Sequence, residues 1–60
     1  MKYQELIKRL KDGDCTFVRM GKGSHEIWAT VDGKMFVVPS HRREIPTGTC
    51  QKILKNAGLK

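Results

Sequence analysis

His25-Glu26-Ile27-Trp28-Ala29-Thr30-Val31-Asp32-Gly33-Lys34-Met35-Phe36-Val37-Val38-Pro39 decides the fold. Polar and apolar residues alternate over 25–31, the period of a strand. Ile27 and Ala29 fall on one face, and Glu26, Trp28 and Thr30 on the other. Asp32-Gly33 signals a hairpin, because a tight turn needs φ > 0 where the glycine sits. Residues 35–38 form the next strand, and Pro39 ends it for want of an N–H. The stretch therefore predicts an antiparallel β-hairpin.

Upstream, Gly21-Lys22-Gly23 separates the hairpin from a further β-rich run over 15–20 that contains Phe17 and Val18. Before that, Tyr3, Leu6, Ile7 and Leu10 recur at helical spacing among charged residues, so an amphipathic helix of about three turns opens the chain. Asp12-Gly13 stops it, with Gly13 expected in the left-handed conformation that closes helices.

Downstream, residues 39–46 read as a polar, basic loop carrying His41, Arg42 and Arg43. A second helix follows Pro46-Thr47-Gly48-Thr49, with Thr47 or Thr49 expected to cap it. Cys50, Ile53, Leu54 and Ala57 form its buried stripe, and Gly58 stands where it ends. The order is α-β-β-β-α. This predicts an α+β fold in which two helices cover one face of a three-stranded antiparallel sheet. Residues 1–60 are read as one small domain without repeats or linkers.

A domain of 60 residues buries only roughly 60% of its unfolded surface. It has no room for a large enclosed cavity, so a reactive site must lie on an open face or in a shallow groove. No apolar run approaches the ~20 residues of a membrane span. The start, Met1-Lys2-Tyr3-Gln4-Glu5, lacks the apolar core of a signal peptide. A soluble, cytoplasmic protein with no membrane partner is expected.

Twelve Lys and Arg against six Asp and Glu leave a net charge of +6. The excess is distributed along the chain, so the folded surface itself attracts polyanions, whether nucleic acid or an acidic protein. Cys15 and Cys50 make no disulfide framework, and with His25 and His41 they form no zinc spacing. Both read as small core residues. No carboxylate cluster suggests a metal-dependent nuclease. Gly21-Lys22-Gly23-Ser24 matches neither a Walker loop nor a dinucleotide fingerprint. No metal ligand and no cofactor is assigned.

The chemistry concentrates at Gly21-Lys22-Gly23-Ser24-His25. A glycine loop lets the backbone approach a ligand closely, and a histidine follows at the mouth of a strand. Imidazole suits proton transfer near neutral pH. Lys22, Arg19, Lys34, Arg42 and Arg43 are candidate phosphate contacts or stabilisers of developing negative charge. Each could equally be a solvated surface charge. Ser24 can bond a phosphate oxygen or nearby backbone. His41 can be a second acid–base group, a phosphate contact or a loop residue. Trp28 and Tyr3 can stack on bases or pack in the interior.

Several of these features occur together in order: Glu5-Leu6-Ile7 and Leu10, Val18-Arg19, Gly23-Ser24-His25, Glu26-Ile27-Trp28, Val38-Pro39 and His41, Gly48-Thr49, Ile53-Leu54-Lys55 and Ala57-Gly58-Leu59. In this the chain resembles the HicA family, small toxins of bacterial toxin–antitoxin pairs that act as mRNA interferases in stress responses. The resemblance implies a fold like the double-stranded RNA-binding domain and cleavage of mRNA without a metal. It places the catalytic histidine at His25 and implies an antitoxin partner of the HicB type. The competing reading is a non-catalytic double-stranded RNA-binding module. Against that module, the second helix begins Pro46-Thr47-Gly48-Thr49, with no lysine cluster.

Overall fold

The computed structural model describes residues 1–40 and 43–59. Helix α1 spans Tyr3–Asp12, strands β1 Thr16–Met20, β2 His25–Ala29 and β3 Met35–Pro39, and helix α2 Thr47–Asn56. The strands form an antiparallel meander in the order β1-β2-β3. Phe36 pairs with Trp28 and Val38 with Glu26, which puts these four side chains on one face of the sheet. Leu6 and Leu10 of α1 and Cys50, Ile53 and Leu54 of α2 pack with Trp28, Phe36 and Val38 in a single core. Both helices therefore cover the same face, the α+β arrangement expected from the sequence.

The two helices end alike. In α1 the Asp14 N–H bonds the Lys11 carbonyl and the Cys15 N–H bonds that of Leu10. In α2 the Gly58 N–H bonds Lys55 and the Leu59 N–H bonds Leu54. Each is a Schellman motif with its hydrophobic contact, Cys15 to Leu10 and Leu59 to Leu54. In α2 the left-handed residue is Gly58, at φ +75°. In α1 it is Asp14, at φ +65°, while Gly13 has φ −91°. The expectation for Gly13 is thus corrected. Its glycine serves another purpose: a Cβ there would stand 2.3 Å from Leu59 Cδ2. The end of α2 is seated against the end of α1.

The helix starts also depart from expectation. Neither Thr47 nor Thr49 caps α2, whose N-cap is Pro46 without a side-chain bond. The orphan amide at the start of α1 is satisfied from a distance, the Tyr3 N–H donating to the Arg43 carbonyl at 2.8 Å. Lys2 and Glu44 form an isolated bridge, and the Met1 ammonium lies 3.2 Å from the Glu44 carboxylate. The segment entering α2 is thereby tied to the start of α1.

Both hairpins enclose three-residue loops. Gly21 and His25 are bonded around Lys22, Gly23 and Ser24, and Thr30 and Lys34 around Val31, Asp32 and Gly33. The left-handed residues are Gly23 and Gly33. Strand β1 carries a bulge between Phe17 and Arg19. Phe17 pairs with Trp28, whereas Arg19 pairs with Ile27, so the bulge brings Arg19 to the sheet face that the helices leave open.

Candidate nucleic-acid interface

His25 is the first residue of β2 and is exposed. Strand alternation sets it on the open face with Ile27 and Ala29, opposite the core side chains Glu26 and Trp28. The Gly21 N–H bonds the His25 carbonyl at 2.7 Å and fixes its backbone. Its ring Nδ1 lies 3.1 Å from the Lys22 carbonyl. A carbonyl only accepts, so Nδ1 carries the hydrogen in this contact, and in the neutral ring Nε2 is the basic nitrogen. The loop thus selects one tautomer.

Lys22 and Ser24 flank the histidine in the same loop, both exposed. The Ser24 carbonyl accepts from the Ser40 N–H at 2.9 Å and from the Ser40 hydroxyl, which extends the β2–β3 ladder beyond His25. Arg19 joins the open face two residues along from His25 through its pairing with Ile27, and its Nη1 donates to the Met20 carbonyl at 3.3 Å. Lys34 is elsewhere. It sits in the second hairpin, at the opposite end of β2 from His25. Arg43 is exposed, its carbonyl holding the start of α1. His41 and Arg42 lie outside the described residues.

Trp28 is not available to stack on bases, and Tyr3, partly buried, has its hydroxyl engaged. Trp28 is 3% exposed, edge-on to Phe17, with its Nε1 donating to Glu26 Oε1 at 2.7 Å. The Tyr3 hydroxyl donates to Glu26 Oε2. Burial, with the Glu26 hydrogen bond and negative charge added, pushes the Tyr3 hydroxyl up to about 12. Sequence reasoning missed this buried carboxylate. Alternation alone places Glu26 and Trp28 together but does not say that two ring donors make that face dry.

Cys15 and Cys50 are buried free thiols, as read from the sequence. Burial, then the Asp14 charge, pushes the Cys15 thiol up, away from the reactive thiolate. Among the described residues no three His, Cys, Asp or Glu side chains group as a metal site. Nor is any helix there long and apolar enough to cross a membrane.

The open face beside His25 is apolar. Val37 pairs with Ile27, Met35 with Ala29 and Pro39 with His25. Met35 is 65% and Val37 50% exposed. The arrangement joins a tautomer-selected imidazole, an arginine and a loop lysine to an uncovered apolar sheet. It can move a proton beside a phosphate, and it can receive another protein.

Compared with known families, the chain matches the model described as the HicA toxin of bacterial toxin–antitoxin systems over residues 3–59. No curated protein matches it.

Proposed function

The chain belongs to the HicA toxin family of bacterial toxin–antitoxin systems, and from that premise we propose that it is a metal-independent endoribonuclease that cleaves mRNA with His25 and so inhibits translation. The observation that carries this reading is the Lys22 carbonyl held against Nδ1 of an exposed imidazole. With the hydrogen on Nδ1, Nε2 is the basic nitrogen of the neutral ring.

RNA supplies its own nucleophile. Nε2 takes the proton of a ribose 2′-hydroxyl, and the 2′-oxygen forms a bond to the adjacent phosphorus. The bond from phosphorus to the 5′-oxygen breaks. The products are a 2′,3′-cyclic phosphate and a 5′-hydroxyl, whose proton comes from the imidazolium or from water. Arg19 and Lys22 are the cations on hand to offset charge on the pentacoordinate phosphorane. Histidine acid–base catalysis of this kind contributes about 10²–10⁴-fold. Ser24, Arg43 and, beyond the described residues, His41 and Arg42 are supporting contacts to RNA in this reading.

The antitoxin is the partner that the family brings. In this reading it covers the open face, burying Ile27, Met35 and Val37 together with His25. The basic surface favours an acidic partner. An antitoxin complex that leaves His25 accessible to RNA counts against this seat.

Cleavage of single-stranded RNA in excess EDTA, wild type beside His25→Ala, tests the activity. Cleavage by wild type with at least a hundredfold loss in the variant is expected. Equal cleavage removes His25 from the chemistry. Binding without cleavage by either protein replaces the nuclease by a non-catalytic RNA-binding module.

A further inference from the structure

The end of the domain remote from His25 carries a groove that the cleavage chemistry does not use. His25 opens β2 and Ala29 closes it, so the second hairpin begins about 13 Å along the strand. Between that hairpin and the Schellman turn of α2 lies a cavity of about 330 Å³. Lys34 stands on the hairpin side and Lys55 on the helix side, with Asn56 beside it. Val31 and Leu59 supply apolar walls, and Asp32 is the acidic residue in the lining.

The groove is suited to one kind of guest. Among the described residues neither lysine ammonium has an ion-pair or hydrogen-bond partner. The end of α2 would ordinarily repel an anion, but two of its closing carbonyls, those of Leu54 and Lys55, are already bonded by the Leu59 and Gly58 amides. Two cations line the same cleft, whose volume falls in the small-ligand range. An amide that can address a base edge and two apolar walls complete the lining. Phosphate, base edge and base face are together the chemistry of a nucleotide.

We propose that this groove binds one nucleotide of the RNA strand away from the cleaved bond. Lys34 and Lys55 hold its phosphate, and its base rests against Val31 and Leu59. The inference rests on the RNA reading of His25 and adds a second anchor to it. Lys34 then serves the substrate at the far end of the strand, not at the imidazole.

The test uses the His25→Ala protein, so that RNA is bound and not consumed. Affinity for a labelled single-stranded RNA of about a dozen nucleotides is measured across a salt series. In that background, Lys34→Ala with Lys55→Ala is compared with Lys8→Ala with Lys52→Ala, which removes equal charge from exposed helix positions outside the groove. The groove pair is expected to weaken binding about tenfold and to flatten the salt slope by about 0.7, one phosphate's worth on a single strand. The helix pair is expected to change affinity less than about twofold. All four lysines are exposed, and unchanged Trp28 emission reports an intact fold. Equal losses from the two pairs, or no loss from the groove pair, overturn the groove while leaving the RNA reading standing. No RNA binding by any of the proteins overturns both.

Discussion

The indole N–H of Trp28 donates to Glu26 Oε1 at 2.7 Å, between two side chains on the same face of one strand. The other carboxylate oxygen takes the Tyr3 hydroxyl from α1. One buried acid therefore pins the first helix to the middle strand, on the side of the sheet opposite His25. The pair explains how a carboxylate only 9% exposed is tolerated in a thin core: both oxygens are occupied.

Removing that acid strands two donors. Glu26→Ala leaves the buried indole N–H unpartnered and frees the Tyr3 hydroxyl, and the expected loss is about 2–3 kcal/mol of stability. Glu26→Gln keeps an acceptor for Trp28 and a polar partner for Tyr3, and should cost about 1 kcal/mol. Urea unfolding followed by the emission of the only tryptophan measures both. Equal stabilities for the Ala and Gln variants would show that the hydrogen bonds carry no weight.

Tyr3 is the only tyrosine, so phenolate absorbance reports it alone. Its midpoint is expected near 12, against the ordinary 10. Burial is the leading cause, so Glu26→Gln should lower the midpoint only part of the way. The sign for stability follows. The hydroxyl is neutral in both states below pH 10. Above it the unfolded chain ionises first, and stability is lost as the pH rises towards 12. Tyr3→Phe should remove that component of alkaline unfolding, seen as a shallower fall in stability over that window.

The close of α1 shows how far local reading carries. Helical spacing gave the extent of α1, and Asp-Gly gave the place where it stops, but the left-handed residue is Asp14 and not Gly13. What the glycine at 13 serves is non-local: Leu59, 46 positions later, occupies the space where a Cβ on residue 13 would sit. The same holds at the candidate site. The loop and His25 are legible locally, whereas the placement of Arg19 depends on a bulge opposite Ile27, and that of Glu26 on a tyrosine 23 residues away. Asp14→Gly should relieve the left-handed strain and raise stability by about 0.5–1 kcal/mol. Thermal unfolding checks this, and a drop in midpoint would mean that the Asp14 side chain contributes more than its backbone costs.

Gly13 and Leu59 should behave as a coupled pair. Gly13 has an ordinary negative φ, so alanine meets no backbone strain there, only the Leu59 methyls. Gly13→Ala alone is expected to cost about 1 kcal/mol as Leu59 is displaced. In a Leu59→Ala background the clash is gone, and the same change should become neutral or stabilise by about 0.4–1 kcal/mol through the unfolded chain. Additive effects in the double-mutant cycle would break the proposed seat of α2 on α1.

Val37 tests the antitoxin seat. It is half exposed at the middle of edge strand β3 on the open face, paired with Ile27, and no described element covers it. A charge there meets water in the free toxin, so the fold should lose about 1 kcal/mol or less, chiefly in strand propensity. Beneath a bound partner the same charge is desolvated without a counter-ion. Val37→Glu also sets a negative group against a partner that the +6 surface selects for acidity. Antitoxin affinity is therefore expected to fall at least about tenfold, or ~1.4 kcal/mol, with RNA cleavage retained by the free protein. Titration of purified antitoxin against both proteins reads the affinity, and growth on co-expression reads its consequence under the proposed inhibition of translation. Unchanged antitoxin binding would move the interface off this face, and the masking of His25 would then need another route.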